Sequence, residues 1–151
     1  MTIRCEIVSQ DRTVFTDDVD IVVLPGAAGE MGILPKHAPV LTTLKYGVIK
    51  VRKSGKEEMF TVAGGIAEVQ PDVVTVLADA AENVEDIDIN RAEAARRRAE
   101  EVLAKGIPEG TDAFLAMEAA LRRSNLRLEA ARRYGKQKSP LFLNSRALSG
   151  R

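Results

Sequence analysis

Residues 29–39 read Gly-Glu-Met-Gly-Ile-Leu-Pro-Lys-His-Ala-Pro, with two glycines and two prolines around the apolar pair Ile33 and Leu34. Glycine permits backbone angles that other residues avoid, whereas proline fixes φ and removes a hydrogen-bond donor. The composition therefore predicts a shaped, rigid loop rather than a paired strand. Apolar runs flank it at 21–24 and 40–44, so we expect the loop to stand on a β-scaffold as a contact surface.

The part of the chain up to residue 79 alternates short runs rich in Val, Ile and Thr with turn residues. We expect reversals at 45–47 and at the glycine pair 64–65. Many short strands at near-regular spacing, with no helix between them, are typical of an all-β sandwich or barrel. The predicted strands lie at 3–9, 13–16, 19–24, 40–44, 48–53, 58–63, 66–69 and 73–78.

The single cysteine, Cys5, alternates with Ile3 and Ile7. Successive side chains of a strand point to opposite faces, so these three share one face. We expect Cys5 to be a small buried hydrophobe rather than a reactive thiol. A chain with one cysteine has no internal disulfide, which agrees with a reducing compartment.

Two helices are predicted after residue 80. Over 88–105 the apolar positions recur every three or four residues, which indicates an amphipathic helix with Asp88 as its N-cap. The segment 106–110, Gly-Ile-Pro-Glu-Gly, ends this helix, and a second one is expected from residue 111 or 112 to Tyr134. Helices joined by so short a link should fold back as an antiparallel hairpin.

The contact stripe of this hairpin is mostly alanine. A buried methyl group removes little apolar surface, at roughly 25 cal/mol per Å², so the hairpin should be marginally stable alone and able to open. The predicted fold class is α+β. We expect an N-terminal all-β sandwich over 1–84, an antiparallel two-helix hairpin over 85–135 and a tail over 136–151.

Length and composition exclude several classes of protein. The chain has 151 residues, of which 45% are apolar, enough for one core with an appendage. No apolar run approaches the roughly 20 residues of a membrane span, and no signal-peptide pattern opens the sequence, so we expect a soluble intracellular protein. Residues 1–90 carry 8 basic and 15 acidic side chains, whereas residues 91–151 carry 14 and 7. The hairpin half is therefore expected to be attracted to acidic surfaces.

The sequence offers no motif for catalysis. The lone histidine, His37, has no nucleophile motif near it, so a structural or contact role is expected rather than acid–base chemistry. One histidine and one cysteine do not make a zinc site of the usual composition. The pair Gly64 and Gly65 lacks the Lys-Ser or Lys-Thr of a phosphate loop and is interpreted as a hairpin turn.

Residues 29–39 closely resemble the GELGILPGHAPL signature of the epsilon subunit of F-type ATP synthase, the small subunit of the rotating central stalk. A second match is Gly-Gly-Ile-Ala-Glu-Val at 64–69, followed by Val-Val-Thr-Val-Leu-Ala-Asp at 73–79. The resemblance runs from about Ile3 to Tyr134, and Lys36 stands where the family usually has glycine.

The resemblance implies a non-catalytic rotor subunit of a bacterial enzyme, peripheral to the cytoplasmic face of the plasma membrane. Its sandwich would attach to the gamma subunit and rest on the c-ring, with Glu30, Gly32 and His37 as candidate contacts. The C-terminal helices of the family lie compact against the sandwich or extend toward the alpha/beta catalytic head and inhibit ATP hydrolysis. The alternative is a freestanding nucleotide-binding sensor without a rotor.

The resemblance also implies ATP as a regulatory ligand, with no cofactor required. Residues 87–92, Ile-Asp-Ile-Asn-Arg-Ala, fit the I/L-D-x-x-R-A pattern of epsilon subunits that bind ATP in the hairpin. Four arginines on two helices can converge on one polyphosphate, although spacing alone favours ordinary solvated ion pairs with nearby glutamates. The residues carried over are Glu82, Asp88, Arg91, Ala92, Arg98, Arg123 and Arg127.

A basic run extends from Arg122 to Lys138. Nucleic-acid binding is disfavoured because these charges are not interleaved with a series of aromatic stacking residues, Tyr134 alone lying among them. An acidic protein partner fits better, and the resemblance supplies one in the catalytic beta subunits. The tail departs from the usual end of the family, and its segment 139–143, Ser-Pro-Leu-Phe-Leu, either lengthens the inhibitory arm or is disordered.

Overall fold

The structure is a computed structural model that describes residues 1–135. Its strands all precede its two α-helices along the chain. The predicted tail, 136–151, with Lys136 and Lys138 of the basic run, lies outside the described residues. The elements are β1 (Ile3–Val8), β2 (Thr13–Val19), β3 (Ile21–Gly26), β4 (Gly29–Ile33), β5 (Val40–Lys53), β6 (Lys56–Val69), β7 (Val73–Ala78), β8 (Ala81–Asn83), a 3₁₀ turn (Val84–Asp86), α1 (Ile89–Ala104) and α2 (Asp112–Tyr134).

The eight strands form one hydrogen-bonded sheet in the order β2-β1-β7-β6-β5-β3-β4, and β8 pairs with β6. The pairing of β1 with β7 is parallel, whereas the other pairs are antiparallel. The sheet folds over on itself. Strands β2 and β6 are not neighbours in the sheet, yet the ring centroids of Phe15 in β2 and Phe60 in β6 are 5.0 Å apart. This sandwich, followed by two packed helices, confirms the predicted α+β fold.

The core lies between the two layers and follows the alternation of the strands. Ile3, Cys5 and Ile7 are all fully buried on one face of β1. Ile49 and Val51 of β5 are buried as well. The predicted face of β1 is therefore confirmed, and the core consists mainly of branched aliphatic side chains that give strands their stability.

The prediction of an unpaired loop over 29–39 is wrong for its first half. Gly29–Ile33 is strand β4, which pairs antiparallel with β3. An edge strand tolerates glycine, and both prolines fall after its end. The true loop begins at Leu34. Within it Lys36 has φ 66°, so it occupies the left-handed region that glycine prefers, and its amide donates to the Pro71 carbonyl oxygen at 2.7 Å.

The predicted reversals at 45–47 and 64–65 are also wrong. Strands β5 and β6 are 14 residues each and pair with each other along their length. Gly64 and Gly65 have φ of 85° and 135° inside β6, and a Cβ on Gly65 would lie 2.3 Å from the Leu77 carbonyl oxygen. The glycine pair therefore permits a close approach of β7 to a long bent strand. The short strand β8 was not predicted.

The two helices begin and end where the sequence predicts. The Asp88 side chain accepts from the Arg91 amide, and the Thr111 side chain accepts from the Phe114 amide, so both helices have N-caps. The helices pack against each other, and α2 lies on β5, β6 and the 3₁₀ turn. Neither helix of residues 1–135 combines the length and apolar character of a membrane span.

Replacing Gly65 by alanine should lower the free energy of unfolding by at least about 2 kcal/mol, because its Cβ would collide with the backbone of β7 at a strained φ. The control is Gly55→Ala, where φ is 81° but nothing lies within 4 Å of the added Cβ. That variant should lose about 1 kcal/mol, from backbone strain alone. Urea denaturation of both variants measures the difference, and equal losses would contradict a steric role for Gly65.

Cys5 should react with a thiol reagent only as fast as the folded chain opens. Burial, with a smaller contribution from Glu6, raises the pKa of its thiol from 9.0 to about 12, and the thiolate is the reactive form. A folded-state pKa above the unfolded value stabilises the protein fully below about pH 9 and progressively less as the pH rises toward 12.

Labelling at pH 8 tests this burial. An added cysteine at the exposed turn, Ser54→Cys, serves as the control and should be modified at once. Modification of Cys5 at a comparable rate in the native protein would contradict the buried position.

Candidate functional site

The buried side chains of α2, the helix that lies on the sandwich, are all small. Ser124, Ala130 and Ala131 are 3%, 2% and 5% exposed. The Ser124 hydroxyl donates to the Ala120 carbonyl oxygen of its own helix at 2.9 Å, so its hydrogen bonding does not depend on the sandwich. Small side chains bury little apolar area, and the helix is therefore held weakly by apolar contact.

An ion pair joins α2 to the sandwich. The Arg127 guanidinium donates to both carboxylate oxygens of Glu82 in β8. Its Nε donates to Oε1, and its Nη2 donates to Oε2 at 3.4 Å. Their side chains are 30% and 23% exposed, so water competes less than at an open surface. A forked, partly buried pair is stronger and more directional than an ordinary surface ion pair.

Two tyrosines add contacts between cations and aromatic rings. The Arg122 guanidinium carbon lies 4.1 Å from the ring centroid of Tyr46, a residue of β5. The Lys50 ammonium lies 5.2 Å from the ring centroid of Tyr134, at the end of α2. Both distances are within the roughly 6 Å over which a ring attracts a cation. The sequence analysis missed these contacts, although the only two tyrosines of the chain fall one in each half.

A cavity of about 290 Å³ opens between α2, β8 and the turn that joins β1 to β2. Its walls carry three guanidinium groups and three carboxylates. The charged residues are Asp11, Arg12, Asp79, Glu82, Arg123 and Arg127. Guanidinium groups that line one cavity can donate several hydrogen bonds to phosphate or carboxylate oxygens. The arrangement therefore suits a small anionic ligand that touches both domains.

Three of the residues proposed for ATP binding meet at this cavity, namely Glu82, Arg123 and Arg127. The other four, Asp88, Arg91, Ala92 and Arg98, lie at the start of α1 or within this helix and do not line the cavity. Asp88 caps α1, accepting from the Arg91 amide at 3.1 Å. Ala92 is fully buried, and the side chains of Arg91 and Arg98 are exposed.

The three residues proposed as partner contacts cluster around β4. Glu30 and Gly32 are exposed on this edge strand, and His37 is half-buried in the loop that follows it. The His37 amide donates to the Leu34 carbonyl oxygen at 3.2 Å, and its ring Nδ1 lies 2.7 Å from the Ala38 carbonyl oxygen. The Leu34 side chain beside it is 57% exposed. Strand edge and loop thus form one surface with polar and apolar groups.

Residues 1–135 contain no group of three or more His, Cys, Asp or Glu side chains placed to hold a metal ion. The described part of the chain therefore presents two candidate sites: the charged cavity under α2 and the surface around β4. The class of protein that these residues define is a β-sandwich followed by a two-helix hairpin whose second helix lies on the sandwich.

Comparison with known proteins identifies the family. Residues 2–84 match the beta-sandwich domain of the ATP synthase delta/epsilon chain, and residues 85–132 match its long alpha-helix domain. The chain belongs to the ATP synthase delta/epsilon family, among its epsilon chains.

Individual relatives agree with this assignment. The ATP synthase epsilon chain of Pelotomaculum thermopropionicum is 54% identical over 104 residues, 69% of this chain and 78% of that one. That of Bacillus licheniformis is 45% identical over 131 residues, 87% of this chain and 98% of that one. A chain of the Euglena gracilis mitochondrial ATP synthase structure (OSCP/F1/c-ring) superposes with a TM-score of 0.69 at 27% identity, covering 86% of this chain and 81% of its own.

A double-mutant cycle on Glu82→Gln and Arg127→Gln should give a coupling energy of about 1 kcal/mol, because the pair is forked and only partly exposed. The control cycle uses Arg96 and Glu100 of α1, an i,i+4 pair with its nitrogen and oxygen 3.3 Å apart and both side chains well exposed. That pair should couple by no more than about 0.5 kcal/mol.

Hydrogen exchange of the α2 amides is the measurement, since it reports opening of the hairpin separately from unfolding of the sandwich. Coupling no larger than in the control would show that the ion pair between Glu82 and Arg127 does not hold the arm.

Proposed function

We propose that this chain is a non-catalytic rotor subunit of a bacterial F-type ATP synthase whose helical arm senses ATP and inhibits ATP hydrolysis. The family assignment supports the subunit role, and the Euglena relative comes from an assembly that contains F1 and the c-ring. The cavity that brings Glu82, Arg123 and Arg127 together between the arm and the sandwich is the observation that carries the regulatory part.

The sandwich provides the attachment. We place the contacts with the gamma subunit and the c-ring at Glu30 and Gly32, exposed on β4, and at His37 in the adjacent loop. A paired strand edge and a loop fixed by backbone hydrogen bonds keep their shape under load better than a free loop does. We therefore propose that the subunit is held peripherally, through the complex, on the cytoplasmic face of the plasma membrane.

ATP acts in this proposal by favouring the compact arm. A ligand shifts a conformational equilibrium only by its difference in affinity for the two states. Arg123 and Arg127 belong to α2, whereas Glu82 belongs to the sandwich, so the cavity exists only while α2 lies on the sandwich. A ligand that needs the complete cavity therefore stabilises the compact state.

The size of the cavity explains why residues of α1 are needed as well. At about 290 Å³ it lies at the lower limit of the roughly 300–1,000 Å³ typical of small-molecule sites. A nucleotide triphosphate extends beyond such a space. The exposed, long side chains of Arg91 and Arg98 are available to complete the site around the part of the ligand outside the cavity.

Inhibition follows from what α2 carries. Its sequence includes five arginines, of which Arg122 and Arg127 contact the sandwich in the compact state. Release of α2 frees these cations for another partner. The acidic surface of the catalytic beta subunits is complementary to them, and an arm bound there blocks rotation in the direction of hydrolysis.

Calorimetric titration with ATP, without magnesium and then with it, tests the sensor. Saturable binding is expected, with a loss of at least about tenfold in affinity in the double variant Arg91→Ala and Arg98→Ala, since each guanidinium contributes charged hydrogen bonds. The matched control is Arg97→Ala, an exposed arginine of the same helix outside the proposed set, which should bind as the native chain does. Absence of heat at millimolar ATP would remove the sensor and leave the rotor role.

Co-purification with the gamma subunit separates this proposal from the freestanding sensor. The rotor role requires a stable complex with gamma, whereas a sensor without a rotor needs none. Charge reversal at the proposed contact, Glu30→Lys, should weaken assembly with the c-ring and leave ATP binding unchanged. Turnover of any nucleotide by the isolated chain would contradict the non-catalytic role.

A further inference from the structure

One guanidinium of the charged cavity comes from the opposite end of the chain. Arg12 sits in the turn between β1 and β2, more than a hundred positions before Arg123, and lines the same cavity from the side of the sandwich. The turn is fixed by two hydrogen bonds to the Arg12 carbonyl oxygen, from the Ser9 amide at 2.9 Å and from the Ser9 hydroxyl at 3.3 Å. The backbone of Arg12 is therefore positioned before any ligand arrives.

The net charge of the cavity walls depends on each of the three guanidinium groups. Among the six charged side chains that line it, Glu82 is already paired with Arg127, so the other cations are Arg12 and Arg123 and the other carboxylates are those of Asp11 and Asp79. Positive and negative groups balance, so an anionic ligand depends on hydrogen bonds from each guanidinium and not on a surplus of positive charge. Loss of one guanidinium leaves a net negative wall, which repels phosphate.

We infer that Arg12 is a further ligand-binding residue of this site, and that phosphate groups held between Arg12 on the sandwich and Arg123 on α2 bridge the two domains. This inference rests on the proposed binding of ATP. The Arg12 contact explains how ATP binding would favour the compact arm. When α2 leaves the sandwich, a phosphate chain that stays bound to the arm loses its contact with Arg12. Arg12 thus supplies part of the difference in affinity between the compact and extended states.

ATP titration of the full chain tests the role of Arg12. The Arg12→Ala variant should bind ATP about tenfold more weakly than the native chain, and Arg12→Lys, which keeps the charge but loses the forked donors, should fall between them. Asp11→Asn should bind more tightly, since it removes an opposing charge from the same turn. The control is Arg4→Ala, whose guanidinium pairs with Asp18 at 3.3 Å and does not line the cavity.

Closure of the arm provides a second readout. Energy transfer between dyes at Ser54→Cys on the sandwich and Glu109→Cys on the link between the helices reports the position of the hairpin, and buried Cys5 leaves the labelling specific. ATP should raise the compact fraction in the native chain and in Arg4→Ala. In Arg12→Ala the same occupancy of ATP should raise it less.

The outcomes separate the two proposals. Unchanged affinity and closure in Arg12→Ala, with clear binding by the native chain, would overturn the inference and leave the hairpin site. Equal weakening in Arg12→Ala and Arg4→Ala would also overturn it, because the effect would then reflect overall charge. Absence of binding by the native chain at millimolar ATP would overturn the sensor itself, and the role of Arg12 with it.

Discussion

The residues of α2 that are buried are all small: Ser124, Ala130 and Ala131. Leu126, a larger apolar side chain of α2 that lines the charged cavity against the sandwich, is only half-buried. Each methyl group contributes on the order of 1 kcal/mol or less, so the position of the arm depends on interactions around the contact. These are the ion pair of Glu82 with Arg127 and the two cation–ring contacts, each worth about 1 kcal/mol at a partly exposed site. A helix held in this way is released at modest cost.

The sandwich has the opposite character. Its core is one continuous cluster, built mainly from branched aliphatic side chains. Strands β5 and β6 pair over their whole length, and the glycines inside β6 allow β7 to approach closely enough to complete the sheet. Local opening occurs where a segment makes few buried apolar contacts, whereas the sandwich makes many. A rigid body and a weakly held arm are therefore combined in one chain, which suits a rotor subunit with a regulatory element.

The charged cavity lies where these two parts meet, and the proposed regulation depends on this location. Allosteric coupling requires a ligand that makes different contacts in two states of the protein. A site wholly within α1 and α2 would be indifferent to whether the hairpin leaves the sandwich. A site that takes Glu82 and Arg12 from the sandwich and Arg123 from α2 is complete only in the compact state. The location of the residues, more than their number, therefore determines whether binding moves the arm.

The sequence alone determined the family signature, the Asp88 cap, the bounds of both helices, the burial of Cys5 and the weak alanine stripe, because these depend on neighbours within a few positions. The family resemblance proposed Glu82, Arg123 and Arg127, and the structure brings these three to one cavity. The role of the glycine pair at 64–65 was decided by the tertiary structure. The sequence is compatible either with a chain reversal or with a bend inside one strand. The close approach of the Leu77 carbonyl of β7 to Gly65 shows that it is the bend. The same holds for the cavity. Arg12 lines the same cavity as α2 because of the tertiary fold, and local sequence pattern carries no information about such distant approaches.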